Sequence, residues 1–494
     1  MDIKLYTPDV RVTLYKTIGR TTVDGETPVS QRVLDTNKTI DLTPFLGESS
    51  QLTCSKSVRE SAGGFSITLA DAPYMQPGAF ESLYGLVEPM DFVEIRMRHN
   101  PPNSSSSNSP TPPVYMRGFV TKIERDETVR PEGKPQRSVT ISGQDYGKLW
   151  QLMQILLLPG LVVGQDYLSA FKLFVRFGVG FQTTLAASDF VTQVINKIVN
   201  PFLASLMPAN SPNPGVIKTD AISVSTGVVD VGGAQSQQGT VYSLLSYFGD
   251  VGLWNELYLE DREDGVYCVY RPNPFTDING NVIQSDAAEL TPITVNGKDV
   301  ISLNVGRTDE NVANYYWVRS PKFELVDDIT RRLYALQAAD EPSVDLSMYP
   351  NAAERFYGER VMMFDTQQGG NDVTTFNSGQ PADVQETRGV SMADWITNRR
   401  KILAAQNKDN VLFESGTARI RADERIKPGS FVRIVRGSFS AVYYVPMVDL
   451  NFVPYQGLFQ TLHLERGTGF IERVKAGAGA QSPYLAEMAG AVAT

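Results

Sequence analysis

The chain has 494 residues, with 45 Lys and Arg against 55 Asp and Glu, two histidines and two cysteines. A net charge of -10 leaves no surplus of cations to neutralise phosphates, which excludes a general nucleic-acid binder. Two cysteines exclude a disulfide framework and a structural zinc site, and 42% apolar with 20% charged residues describes a folded chain of roughly two to four domains.

The N-terminus, MDIKLYTPDVRV, has no basic region followed by an apolar core. The most apolar run, LMQILLLPGLVV (152–163), is too short to span a bilayer and contains Pro159. A soluble protein made in the cytoplasm, without integral membrane contact, is expected. The first 149 residues have mostly a period of two: DIKLYTPDVRVTLY, SQLTCSKSVRE, GGFSITLAD and MDFVEIRMRH read as strands. The loop NPPNSSSSNSPTPP (100–113) follows, then the strands VYMRGFVTKIERD and QRSVTISGQD. Cys54 and Cys268 sit in alternating apolar runs and read as buried, reduced thiols.

YGKLWQLMQILLL changes to helical spacing, and 150–207 holds five charged side chains, Asp166, Lys172, Arg176, Asp189 and Lys197. So little charge means burial, in an internal helical core or against a partner; Leu156, Leu157, Phe171, Phe174 and Phe177 are the candidate partner-interface residues. DFVTQVINKIVNPFL reads as a helix with Asp189 as N-cap and Pro201 just past its end. TVYSLLSYFGDVG reads as a short helix ending at Gly249, and NELYLEDREDGVYCVYRPNPF as a hairpin about Asp261, Asp264 and Gly265. Two more strands are expected in 299–321, a turn-rich stretch from 326 to 388, and a helix over 391–407 with Ser391 as N-cap. VLFESGTARIRAD, GSFVRIVRG, AVYYVPMVDLNFV and FQTLHLERGTG form a second meander before an Ala/Gly tail.

The second meander repeats the first. EPMDFVEI (88–95) and KPGSFVRI (427–434) share Pro-x-x-Phe-Val-x-Ile, placing Phe92, Val93 and Ile95 against Phe431, Val432 and Ile434. FSITLAD (65–71) parallels ARIRAD (418–423), each ending in Ala-Asp, and the last strands offer Val139 and Ile141 or Leu462 and Leu464. Phe92 and Ile95 cannot share a face of a flat strand, so a twist or bulge is expected. The fold class is mainly β with an α+β middle part: two similar small antiparallel β-barrels and a helix-containing middle domain.

Catalytic signatures are missing from the sequence. His99 and His463 lie in no metal-ligand spacing, there is no nucleophile turn or phosphate loop, and DINGN (277–281) reads as a turn at Asn279-Gly280 rather than a calcium loop. No catalytic, cofactor-binding or metal residue is assigned, and no cofactor. TNRRK (397–401) reads as the solvated face of a helix.

GGFSITLADAP, EPMDFVEIRM, RGFVTKIERD and VTISGQDYGKLWQL resemble the first barrel of tail hub proteins from baseplates of tailed bacteriophages, especially contractile, Mu-like ones. YSLLSYFGDVGLWNELYLEDREDGVYCVYRPNPF and ISLNVGRTDENVANYYWV resemble that family's middle domain, and RIKPGSFVRI with LHLERGTGF its second barrel. The resemblance implies N-terminal strands and a first hub barrel in 1–149, a low-charge helical segment and linker in 150–240 and an α+β middle domain in 241–325. A connection and helix (326–408), a second hub barrel (409–475) and a flexible tail (476–494) follow. It further implies a homotrimer in the virion tail baseplate, assembled in the host cytoplasm. Three chains would offer six barrel faces to a sixfold tube while staying threefold towards a spike. The implied partners are the tail tube or tube-initiator protein, the central spike protein and the tape-measure protein, with DNA passing through the channel unbound. ESLYGLVEPMD (81–91) and LEDREDG (259–265) are the acid-rich turns that could line such a channel, or else face outward and solubilise. A baseplate cell-wall hydrolase, the hub of a contractile secretion system and a β-rich binder of unspecified partner are the competing readings.

Overall fold

The computed structural model describes residues 8–16, 39–71, 73–76, 79–99, 111–129, 133, 135–155, 184–207, 215–230, 239–319, 350–369, 382–437 and 439–475. In chain order, the first unit is built from β1 (Asp9–Tyr15), β2 (Gln51–Ser57), β3 (Gly64–Ala70), β4 (Phe92–Arg98), β5 (Val114–Val129) and β6 (Pro135–Asp145). A middle layer follows with helices α1 (Gly147–Leu152), α2 (Ala187–Val194), α3 (Asn200–Leu206) and α4 (Val241–Phe248) and the hairpin β7 (Asn255–Arg262)–β8 (Gly265–Pro272). The second unit has β9 (Ile293–Asn296), β10 (Val300–Gly306), β11 (Glu414–Arg421), β12 (Ser430–Arg436), β13 (Phe439–Val453) and β14 (Gly457–Gly467), with helix α5 (Ala382–Asn407) leading into it.

The two units share one strand order. In the first the strands run side by side as β2-β3-β6-β5-β4-β1, and in the second as β10-β11-β14-β13-β12-β9. Every neighbouring pair is antiparallel in both, except that β1 runs antiparallel to β4 while β9 runs parallel to β12. The match extends to single hydrogen bonds in the Pro-x-x-Phe turns. Asp91 N donates to Glu88 O and Ser430 N to Lys427 O, at 3.1 and 3.2 Å, and Met90 N donates to Val120 O as Gly429 N does to Val445 O, each at 2.8 Å. Met90 and Gly429 both have positive φ, 71° and 82°. Gly429 needs its missing side chain, because a Cβ there would lie 2.5 Å from the Arg271 guanidinium.

The repeated Phe-Val-x-Ile now has a physical reason. Val93 and Ile95 point into the first unit's core with Leu52, Ile67, Met116 and Ile141, and Val432 and Ile434 into the second's with Ala418, Val448 and Leu462. Phe92 and Phe431 point the other way, to the layer covering each unit. Phe92 meets Phe119 with ring centroids 5.8 Å apart, and Phe431 meets Tyr444 at 5.3 Å. Ordinary strand alternation therefore buries all six residues, and no twist is needed to reconcile Phe92 with Ile95. A register shift does follow Ile95 in the β4–β5 pairing, but β12 pairs with β13 without one.

The equivalence of the flanking strands differs from the sequence expectation. Ile67 faces Ile141, and its counterpart Ala418 faces Leu462, so the shared Ala-Asp endings are one residue out of step. Alternation makes this visible: Ala70 is exposed and Ala422 is buried. The last strands are two residues out, with Ile141 rather than Val139 answering to Leu462. The barrels are also not separate. The distal half of β13 pairs with β2, so both units share one 13-stranded sheet.

The low-charge segment is internal where it is described. Phe190, Val194, Ile195, Val199 and Leu203 pack with Tyr146, Trp150, Leu245 and Phe248 in one core over the outer face of the first unit. Pro201 does not follow the helix. It lies in the first turn of α3, after a π-helical stretch Ile195–Val199 that accommodates the N–H a proline lacks. α4 starts at Thr240, whose hydroxyl accepts from Ser243 N, and the hairpin turns at Gly265, both as the residues suggest. Helix α5 begins nine residues before Ser391, which lies inside it with Gly389 in spite of their weak propensity. The expected strands in 299–321 form but separate: β10 joins the large sheet, and Tyr315–Arg319 pairs in parallel with Val361–Asp365.

Candidate assembly interface

The joint between the units is the best-defined polar site. Met447–Phe452 of β13 pairs antiparallel with Ser57–Leu52 of β2, Asn451 opposite Thr53 and Leu450 opposite Cys54. Lys56, next to this seam, projects its ammonium to Asp261 on the β7–β8 hairpin and lies 3.8 Å from Asp145 at the end of β6. All three side chains are buried. Burial works against the Lys56 charge, but Asp261 and then Asp145 outweigh it and its pKa is raised. Burial, partly offset by Lys56, pushes Asp145 up to about 6 from 3.8.

The same hairpin clamps both units. Arg117 on β5 donates to Arg262 O and Glu263 O at 2.7 and 3.1 Å, and Arg96 pairs with Glu263 at 2.6 Å. On the other side Lys427 reaches Glu260 at 3.0 Å and Asp261 O at 2.8 Å, while Arg271 joins Glu256 at 2.9 Å and Gly429 O at 2.7 Å. Tyr444 donates to the same Glu256 carboxylate. The acids of LEDREDG are thus held by cations of this chain. In 81–91, Asp91 is buried against Lys16 and accepts from Glu88 N at 2.8 Å.

Asp145 gives a pH test. Its folded pKa lies above its unfolded value, so ionising it destabilises the fold as pH rises from 3.8 to about 6. Asp145→Asn keeps an acceptor for Gly147 N and removes that ionisation. The stability of the variant relative to wild type should rise across this window by on the order of 1–3 kcal/mol. Urea unfolding at a series of pH values measures it, and a constant difference would show that Asp145 titrates like an exposed carboxylate.

Several strand edges stay open among the described residues, and two of them lie on β5 and β10 of the large sheet. Beyond Val120 the outer edge of β5, Lys122–Val129, pairs with no strand, β6 holding the other edge. The outer edge of β10 is free likewise, β11 being its one partner. Val129 is 72% exposed and Ile301 51%.

The repeated residues Phe92, Val93, Ile95, Phe431, Val432 and Ile434 are buried and support the units from within. Leu156, Leu157, Phe171, Phe174 and Phe177 lie outside the described residues. TNRRK is only partly solvated, with Asn398 and Lys401 exposed and its two arginines buried. Arg399 is buried, its guanidinium over Trp254 and Trp395 and donating to Gln368 Oε1 at 3.0 Å, and Arg400 donates to Tyr316 O. Cys54 and Cys268 are buried free thiols, with burial raising both, Cys268 to about 12. DINGN is a turn, Asp277 Oδ1 accepting from Asn279 N and Asn281 N at 2.8 and 2.9 Å. His463 lies 2.8 Å from Asp449 on the neighbouring strand. Among the described residues no His, Cys, Asp or Glu cluster could hold a metal, and no helix is long and apolar enough to cross a membrane.

No family model and no curated protein matches the chain. Solved structures do. A tail protein from Neisseria meningitidis aligns over 92% of this chain and 96% of its own, at 9% identity and a TM-score of 0.42. The 43 kDa tail protein of prophage MuSo2 from Shewanella oneidensis aligns over 93% and 96%, again at 9% identity and 0.42. A type VI secretion component of E. coli, described as structurally similar to bacteriophage T4 tail proteins, aligns over 85% and 74% at 7% identity and 0.32.

The Lys56–Asp145–Asp261 cluster and the open edges of β5 and β10 were not singled out from sequence. The edge on β5 did leave a trace: VYMRGFV is apolar apart from Arg117, and the continuing KIERDETV is charged at five of its eight positions.

Proposed function

We propose that the chain is the structural hub of a bacteriophage tail baseplate, a trimer that joins a sixfold tail tube to a threefold spike. The observation behind this is the duplication. Two units of the same strand order, carrying the same turn bond for bond and fixed edge to edge within one chain, let three chains present six equivalent faces. The hub resemblance of the sequence agrees with this. The role is structural rather than catalytic, in a tail of the contractile type assembled in the host cytoplasm. The partners are the tube or its initiator, the spike and the tape-measure protein, with DNA crossing the channel unbound. Mass measurement of the purified chain at micromolar concentration should give a trimer, alone or with its spike. A stable monomer under both conditions would refute the hub.

A further inference from the structure

We infer that the open edges of β5 and β10 are halves of one joint: Glu124–Val129 of β5 pairs antiparallel with Ile301–Gly306 of a second copy of this chain. The inference takes three copies from the hub reading and adds the strands and the register that hold them together.

The template is the joint inside the chain. β5 and β13 each pair with their inner neighbour up to a register shift, Val120/Lys122 in one and Tyr444/Met447 in the other, and resume past it. Lys122 therefore answers to Met447, and Asp126 to Asn451. On the other side, Leu52 faces Ile67 where Leu303 faces Ala418, and Cys54 faces Phe65 where Val305 faces Gly416, so β10 answers to β2. Within the chain, β13 seals β2, leaving Leu52 and Cys54 buried. On β10 nothing described takes that place, and Leu303 and Val305 are half-buried.

Carrying the internal register across to a second copy sets Asp126 opposite Asn304, Arg125 opposite Val305 and Glu127 opposite Leu303. It also brings Val129 beside Ile301, two of the large apolar side chains this chain leaves exposed. Antiparallel neighbours of this kind are the unit of sheet stabilisation. The charges of β5 pair along their own strand, Lys122 with Glu124 and Arg125 with Glu127, each at 2.5 Å. That pattern discourages indiscriminate edge pairing while leaving backbone donors and acceptors free for the right partner. The two edges differ, so the contact is head to tail, and such contacts generate rings where the rotation closes.

The test is a cysteine pair in the full-length chain, Asp126→Cys with Asn304→Cys. Both positions are exposed and both native thiols are buried. Directly opposed antiparallel residues have Cα atoms about 4.5–5.5 Å apart, within disulfide reach. Thr53→Cys with Asn451→Cys, the equivalent pair inside one chain, sets the oxidation rate such geometry allows. We expect covalent dimers and closed trimers on non-reducing gels at a rate near that benchmark. The displaced pair Asp126→Cys with Ser302→Cys should react at least several-fold more slowly. A protein that sediments as a trimer but links no faster than the displaced pair would sink this joint and leave the hub reading standing. A monomer would sink both. Dimers from Asp126→Cys alone would mean that like edges meet, which also overturns the proposal.

Discussion

Replacing Lys56 by Met is expected to destabilise the chain by about 3–5 kcal/mol, because it leaves two buried carboxylates without their cation. Asp145 and Asp261 have side chains 6% and 2% exposed, so little water reaches them to substitute for the ammonium. The loss should be greatest at alkaline pH and shrink as pH falls towards about 6, since without Lys56 to lower its pKa Asp145 keeps its proton to a higher pH than in the wild type. Adding Asp145→Asn and Asp261→Asn to Lys56→Met should restore much of the stability, for removing a whole buried ion cluster costs far less than removing one member. Urea midpoints of the single and triple variants decide this. A single variant that unfolds at the wild-type midpoint would show that the cluster does not hold the joint.

The second large effect concerns the outward-facing phenylalanines. Phe92→Ala should cost about 3–5 kcal/mol as a full-sized core truncation, for its ring lies within about 6 Å of Tyr15, Phe119 and Tyr146. Phe431→Ala should cost somewhat less, its ring being 6% exposed and facing Tyr444. The two losses should appear in different places by amide exchange. Truncating Phe92 should loosen α2 and α4, which pack on that face, and truncating Phe431 the β7–β8 hairpin. If either variant instead loosens β2 and β3 first, the phenylalanine supports the strands themselves and not the layer above them.

The parts of the fold set by local patterning could be read from the sequence. Period-two alternation gave the strands, Thr240 and Gly249 bounded α4, and Pro-x-x-Phe-Val-x-Ile marked the same turn and strand in both units. Aligning Ala-Asp with Ala-Asp misplaced the flanking strand by one residue, because two identical letters outweighed the alternation that sets which face is buried. TNRRK reads as solvated because two adjacent arginines rarely bury, yet Trp395 one turn earlier and Trp254 and Trp317, distant in sequence, supply the aromatic faces that accept them. The joint is long-range in the same way. Lys56 and Asp261 are 205 residues apart, and nothing in either neighbourhood names the other. The merging of two barrel-like units into one sheet follows from the extra length of β13, fifteen residues where β12 has seven.

On the proposed function, the duplicated unit lets a threefold object present six faces. Electron-microscopic class averages of the purified full-length chain, viewed down the oligomer axis, test it most directly. The expected image is a closed ring with a central channel and six similar lobes, alternating between two kinds around a threefold axis. Monomers, twofold dimers or a ring of three lobes at micromolar concentration, with the spike protein present or absent, would contradict it.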